Sequence, residues 1–201
     1  MKIYTLKEIV TPRLILRPVK HGDEFQINKL VNNSIENLKK WNTWTKNTSF
    51  DATKRFVEKS VLAWKEKALD DLPMSAIYKE SGNIIGVCGY NDNTLPQDGI
   101  YEIGYWLDVD YQGMGLATEY ANALTRVALD ILSAKKAVIV AEEGNTKSMA
   151  VAKRLGFSYA GEKKRNLSND VLLKEELVKH VFILTETSEL PALDLEVDWN
   201  N

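Results

Sequence analysis

The sequence predicts an α+β fold, one mixed and mostly antiparallel sheet of about seven strands flanked by about four helices. Three observations predict it. Short apolar runs of strand length occur in neighbouring pairs as well as singly, so they do not alternate with helices as a doubly wound parallel sheet requires. Three longer runs carry apolar residues at helical spacing, and a fourth helix is marked by the C-cap position of Gly156. The 201 residues, 44% of them apolar, suffice for one substantial core, and no repeat or low-complexity linker divides them.

Residues 13–18 alternate charged and apolar side chains and stop at Pro18, which makes a first strand entered through Pro12. Asp23 stands as the N-cap of a helix carrying Phe25, Ile27, Leu30, Val31, Ile35 and Leu38. A second helix starts near Ser49 and Asp51 and sets Phe56, Val57, Ser60, Val61 and Trp64 on one side. Residues 74–78 and 84–90 form a hairpin about the turn Lys79-Glu80-Ser81-Gly82-Asn83. A polar loop over 91–99 leads to a strand over 100–107. The helix after Gly115 aligns Leu116, Tyr120, Ala123, Leu124, Val127 and Ile131 and ends near Leu132. Residues 137–141 read as a short buried strand, and a helix from about Thr146 ends at Leu155 with Gly156 as its C-cap. Residues 157–164 and 177–184 are the last strands. Residues 185–201 hold Glu186, Glu189, Asp194, Glu196 and Asp198 without a basic residue, and are expected to form a solvated or loosely docked acidic tail.

Composition excludes several classes of function. Lys and Arg total 26 against 28 for Asp and Glu, a net charge of −2 that gives no basic face for nucleic acid. The single cysteine, Cys88, rules out an internal disulfide and reads as a small packed residue in a reducing compartment. No apolar stretch approaches the roughly 18 residues of a membrane span, and the first residues lack a signal-peptide core, so a cytoplasmic protein is expected. His21 and His180 stand apart, and no Cys, His or carboxylate cluster has metal spacing, so no metal is expected.

The most specific local signal is Gln112-Gly113-Met114-Gly115-Leu116-Ala117, between the strand over 100–107 and the long helix. Two glycines at a strand-to-helix turn admit a ligand to the backbone, and the free N–H groups of the helix start, with its positive dipole end, attract an anion. A Walker loop needs Lys followed by Ser or Thr after its last glycine, and Leu116-Ala117 stand there instead. A dinucleotide fingerprint needs three glycines in a βαβ unit, and only two occur. A plain turn with glycines for steric room remains open.

The same six residues resemble the Q/R-x-x-G-x-G/A signature of the GNAT superfamily of N-acetyltransferases. Gly104-Tyr105-Trp106-Leu107 before it and Ala117-Thr118-Glu119 after it look like the RimJ/RimL branch, which acetylates protein N-termini. Thr11-Pro12-Arg13-Leu14-Ile15-Leu16-Arg17 resembles that branch's opening strand. Asn145 and Ser148, with Arg154-Leu155-Gly156-Phe157 and Gly161, resemble its second cofactor motif. The resemblance runs unbroken over about residues 11–184 and implies a single acetyltransferase domain over 1–201 with a GNAT-type three-layer fold. It implies acetyl-coenzyme A as co-substrate, with its pyrophosphate on the backbone amides of Gln112, Gly113, Met114, Gly115, Leu116 and Ala117. Met114 departs from the arginine common in the family, which weakens one charge-assisted contact to phosphate.

Acetyl transfer to an amine requires a neutral amine, a stabilised oxyanion, an accommodated thiolate and two substrates held together. The resemblance places the pantetheine arm between the strand ending at Leu107 and that over 137–141, with backbone groups of Trp106, Leu107 and Val109 as partners and an N–H near Leu107 as oxyanion donor. Glu102 shares a strand face with Ile100, Gly104 and Trp106. It takes the amine proton directly or through water, or else it pairs with a lysine or lies exposed at the sheet surface and bulk water takes the proton. Ala152 leaves vacant the tyrosine that many family members use to protonate sulfur. Ser148 would hydrogen-bond the thiolate or add a cap, and Asn145 would bind the pantetheine amide while capping its helix. Trp41 and Trp44 lie where the family builds the acceptor wall, or they cover the core. Trp64 reads as core.

The expected acceptor is a protein or peptide N-terminal amine. A small amine, drawn by Asp92 and Asp98, is the alternative, and a coenzyme A-binding sensor without turnover is a third reading. Branch members are monomers or dimers, and a homodimer is carried as an expectation.

Overall fold

Every strand and helix expected from the sequence forms, and two strands join them. The computed structural model describes residues 2–66, 71–91, 93–166 and 176–200. Its strands are β1 (Leu6–Val10), β2 (Leu14–Pro18), β3 (Leu72–Tyr78), β4 (Asn83–Tyr90), β5 (Ile100–Leu107), β6 (Lys136–Glu142), β7 (Ser158–Asn166), β8 (Glu176–Leu184) and β9 (Glu196–Trp199). They make one sheet in the order β7-β8-β6-β5-β4-β3-β2-β1-β9. Only β5 and β6 run parallel, and the other neighbours are antiparallel.

The helices are α1 (Glu24–Asn33), α2 (Ile35–Leu38), α3 (Phe50–Glu66), α4 (Leu116–Arg126) and α5 (Thr146–Arg154). The single expected helix over the first apolar stripe breaks in two at Ser34 (φ −99°, ψ 6°), whose hydroxyl turns to another element. Helix α4 continues through a π-helical turn, Val127–Ile131, as the stripe predicts.

The sheet separates two apolar layers. Leu116, Tyr120, Ala123, Leu124 and Val127 of α4 are fully buried against one face, joined by Val151, Ala152 and Leu155 of α5. Ile27 and Val31 of α1 and Val57 of α3 pack with Ile84 and Val87 on the other. Strand β4 serves both faces. A bulge between Ala76 and Ile77 of the β3 pairing inserts one residue, so Ile84 and Val87 share a face although their spacing is odd.

Residues 185–200 are not a solvated tail, and the sheet extends beyond residues 11–184. Strand β9 pairs with β1 through Ile9–Val197 and Val10–Glu196. Leu190 is 6% exposed, and Asn122 Nδ2 and Arg126 Nη2 donate to Pro191 O at 2.8 and 3.1 Å. Leu193, Leu195, Val197 and Trp199 alternate with Asp194, Glu196 and Asp198 and pack on the main core, the period of a half-buried edge strand. Counting acidic residues hid that period.

Asp23 is a second departure. It precedes α1 but makes no side-chain cap. Its carboxylate instead accepts both Arg17 guanidinium nitrogens (2.8 and 2.7 Å), Lys20 N (3.0 Å) and Ser75 Oγ (2.7 Å). Burial pushes this carboxyl up, but the hydrogen bonds from Arg17, Lys20 and Ser75 outweigh burial and hold it below the usual carboxylate range. A depressed group contributes stability that is complete above its unfolded pKa and lost as pH falls through the folded one.

Two stability outcomes follow from this packing. Leu190→Ala is expected to cost about 2–4 kcal/mol in urea unfolding, where a loosely docked tail would cost about 0.5 or less. Asp23→Asn is expected to cost about 2–3 kcal/mol at neutral pH, and the gap from wild type should close as pH drops below the carboxylate range.

Candidate active site

Strands β5 and β6 pair in register only from Ile100–Lys136 to Ile103–Ile139. Both continue, β5 to Leu107 and β6 to Glu142, so they diverge and open a gap in mid-sheet. Asn91 N donates to Glu102 O and Asp108 N to Ile85 O, which fixes the alternation along β5. Residues 104, 106 and 108 turn their peptide groups to β4, Glu102 N donates to Thr94 Oγ1 on the same side, and the peptide groups of Tyr105 and Leu107 point into the gap. Leu107 thus supplies the expected inward N–H, while its carbonyl accepts Gln112 Nε2 at 3.4 Å.

Two backbone expectations need correction. Trp106 cannot offer its peptide groups, because they face Val87 of β4. Val109 N donates to Ser34 Oγ at 3.1 Å and Val109 O accepts Gln112 N, so this residue ties the loop to the α1–α2 joint and lies outside the groove lining. Asn33 reinforces the tie, with Nδ2 3.1 Å from Asp108 Oδ1 and 3.0 Å from Asp110 Oδ2.

The gap belongs to a groove of about 2010 Å³ that crosses the sheet. At one mouth lies the glycine turn. Gly113 and Gly115 have φ +81° and +78°, a left-handed backbone that other residues rarely adopt, while a Cβ at Gly113 would touch nothing. The glycines are therefore needed for conformation first. No side chain caps α4, and Gln112, Gly113, Gly115, Leu116 and Ala117 line the groove. Met114 does not, its side chain being 43% exposed.

The turn is clamped from the other end of the chain. Arg13 Nη1 donates to Met114 O at 2.8 Å and Nε to Glu119 Oε2 at 2.6 Å. Glu119, buried at the start of α4, also accepts Arg13 N (2.9 Å) and Thr11 Oγ1 (2.7 Å). Lys147 Nζ, from α5, donates to Gln112 Oε1 at 2.8 Å. Two cations therefore flank the turn where residue 114 brings none.

Asn145 caps α5, its Oδ1 accepting Ser148 N at 3.2 Å, so Ser148 is not a second cap. Ser148 Oγ lies 3.2 Å from Tyr105 Oη, and both residues line the groove. Burial pushes the Tyr105 phenol up to about 12, with the Ser148 contact opposing. Tyr105 is a site residue that the sequence reading missed. Its signal was the strand period, which sets it on the opposite face from Glu102.

Glu102 lies 7% exposed on the other side of β5. Among the described residues, no lysine pairs with it. Asn93 Nδ2 (3.1 Å) and Asn91 Nδ2 (3.4 Å) both donate to its Oε1. Gly104 makes this possible, since a Cβ there would collide with the Asn91 amide. The Trp44 and Trp106 rings stand 6.2 Å apart on the same side, and Trp44 is 46% exposed, so Trp44 does not cover the core. Trp41 also lines the groove, its ring edge near Gly144. Trp64 is core, with Nε1 donating to Pro73 O at 2.9 Å. Burial drives the Cys88 thiol far above its ordinary range, which suits packing and not nucleophilic attack. Asp98 is not in the groove lining, and Asp92 lies outside the described residues.

Among the described residues, no helix is long and apolar enough to cross a membrane, and no group of three His, Cys, Asp or Glu could hold a metal ion.

Comparison with known proteins agrees with this geometry. YdaF of Bacillus subtilis is 27% identical over 158 residues, 79% of this chain and 85% of its own length. The ribosomal-protein-serine acetyltransferase of Escherichia coli is 35% identical over 88 residues, 44% of this chain and 48% of its own. Among solved structures, the microcin self immunity acetyltransferase MccE with acetyl-CoA and AMP superposes with a TM-score of 0.75 at 23% identity, covering 87% of this chain and 93% of that one. RimL, a ribosomal alpha-N-protein acetyltransferase, in complex with coenzyme A gives 0.72 at 23%, covering 86% and 94%. The family model for the acetyltransferase (GNAT) domain matches residues 13–158, and the chain belongs to the GNAT acetyltransferases.

Proposed function

We propose that this acetyltransferase moves the acetyl group of acetyl-coenzyme A to a protein or peptide N-terminal amine by direct attack within a ternary complex. One observation carries the reading. Strand β5 turns the peptide groups of Tyr105 and Leu107 into the β6 gap and the side chains of Glu102 and Trp106 to the opposite compartment of the same groove. Donor and acceptor would meet across a single strand.

The residues fit coenzyme A. The backbone N–H groups of Gly113, Met114, Gly115, Leu116 and Ala117 would hold the pyrophosphate, with Arg13 and Lys147 adding charge. The peptide groups of Tyr105 and Leu107 would take the pantetheine amides as an added strand would. Asn145 Nδ2 has no partner among the described residues and is available to the same arm. When bound, acetyl-coenzyme A supplies an activated acyl carbon and a thiolate leaving group.

Glu102 would take the amine proton, directly or through one water. Its Oε1 is held by two asparagine amides, which leaves Oε2 for that task. Leu107 N–H would stabilise the oxyanion, and the Ser148 hydroxyl would hydrogen-bond the departing thiolate. Trp41, Trp44 and Trp106 offer flat apolar walls to the residue that carries the amine.

A panel of amines assayed by thiol release tests the acceptor. Peptides with a free N-terminus should turn over, and a preference for polyamines, amino sugars or free amino acids would replace this reading with the small-molecule one. Glu102→Gln is expected to lower kcat about a hundredfold and to remove the acid limb of the pH–rate profile, and an unchanged profile would take Glu102 out of the mechanism. Arg13→Ala is expected to raise the calorimetric Kd for coenzyme A about tenfold, because both the clamp on Met114 O and a flanking charge are lost.

A further inference from the structure

We propose that Tyr105 is a positioning residue for Ser148, its phenol donating to Ser148 Oγ and thereby aiming the serine hydroxyl hydrogen at the leaving sulfur. The inference rests on the thiolate role proposed for Ser148 and adds the group that sets its direction.

The two hydroxyls come from different elements. Tyr105 leaves β5 just beyond Ile103, the last residue paired with β6, and its ring lies 5.5 Å from that of Tyr120 beneath the groove. Its oxygen is 3.2 Å from Ser148 Oγ and 3.4 Å from Ser148 O on the first turn of α5. Ser148 is already fixed through its backbone, since its N–H is taken by Asn145. What remains undetermined is one rotor, the serine O–H.

A serine hydroxyl has one hydrogen. If it were spent on Tyr105, nothing would remain for sulfur. With Tyr105 as donor, the serine oxygen is satisfied as an acceptor and its hydrogen is left to point into the groove. Burial keeps the phenol protonated throughout the physiological range, so it is always able to donate. Two O–H groups in series also polarise one another, which strengthens the bond at the end of the chain. One turn further along α5 the buried Ala152 offers only a methyl, so the phenol reaches this end of the groove from β5.

No proton changes hands on this side. The amine nitrogen bonds to the acyl carbon and its proton leaves toward Glu102 or water. The C–S bond breaks with its electron pair on sulfur. Both hydroxyl hydrogens stay on oxygen, because a thiolate is a far weaker base than a phenolate raised this high.

Tyr105→Phe removes one oxygen and nothing from the packing. Calorimetry with coenzyme A and with desulfo-coenzyme A, at a mildly alkaline pH where the thiol ionises, isolates the contribution of sulfur. Wild type should prefer coenzyme A by about fivefold, and Tyr105→Phe should bring that ratio to about one while leaving desulfo-coenzyme A affinity unchanged. With a free N-terminal serine peptide as acceptor, Tyr105→Phe should lower kcat about tenfold at unchanged KM for acetyl-coenzyme A. In a Ser148→Ala background it should have no further effect. Equal weakening of both ligands, or multiplicative effects of the two substitutions, would overturn the inference. If Ser148→Ala alone leaves kcat and the sulfur preference intact, the thiolate role of Ser148 fails and Tyr105 has nothing to position. If Ser148→Ala impairs both and Tyr105→Phe impairs neither, only the role of Tyr105 fails.

Discussion

Strands β5 and β6 pair over four residues and then separate, and most of what is distinctive in this molecule answers the cost of that separation. Peptide groups turned away from a sheet partner must find another, because an unsatisfied buried N–H or C=O costs about as much as a lost hydrogen bond. Gln112 reaches back to the Leu107 carbonyl, and the rest of the exposed edge faces the groove. A gap held open inside a sheet needs rigid walls, and it has them. Helix α4, whose stripe is fully buried, crosses beneath it, and β4 and β8 hold the diverging strands from outside.

The glycine turn at the mouth of the gap is held by residues far away in sequence. Left-handed glycines give a turn shape without rigidity. Rigidity comes from Arg13 and Thr11, whose bonds to Glu119 and Met114 fasten the start of β2 to the start of α4. The loop before the turn is fastened in the same way by Asn33 and Ser34. The Thr11-Pro12-Arg13-Leu14 stretch and the Ala117-Thr118-Glu119 stretch, which resemble two separate family motifs, are thus halves of one ion-pair network around the buried Glu119. Helices α1 and α2, which carry the chain toward Trp41 and Trp44, are linked through that loop to the glycine turn.

Much of this was legible in the sequence, for identifiable reasons. Helical periods marked α1, α3 and α4, Gly156 marked the end of α5, and the turn residues marked the β3–β4 hairpin, because these signals are local. The glycine turn was legible because φ > 0 restricts residue choice. Asp23 misled, since a carboxylate ahead of a helix reads as a cap until Arg17 and Ser75 are seen to converge on it. Strand β9 was hidden by its charge, although Leu193, Leu195, Val197 and Trp199 kept the strand period. Trp106 was placed on the correct face as a side chain and on the wrong side as a backbone, because hydrogen-bond parity depends on the β4 register. Tyr105 could be located on β5 but not joined to Ser148, which is brought to it only by the tertiary fold.

Side-chain parity along β5 also separates two chemical tasks that would interfere. Glu102 and Tyr105 are three residues apart and lie on opposite faces of the sheet. A carboxylate awaiting a proton and a hydroxyl pair serving a thiolate would otherwise hydrogen-bond each other and cancel. The strand between them prevents that contact, and in the proposed reaction the acyl carbon over the Leu107 N–H is where the two sides would meet. Asn91 and Asn93 hold Glu102 with two neutral donors, which orients the carboxylate. Gly104, between Glu102 and Trp106 on their shared face, has no side chain because Asn91 occupies that space. The spacing Glu102, Gly104, Tyr105, Trp106 is therefore one constraint, in which each residue type follows from the face it is given.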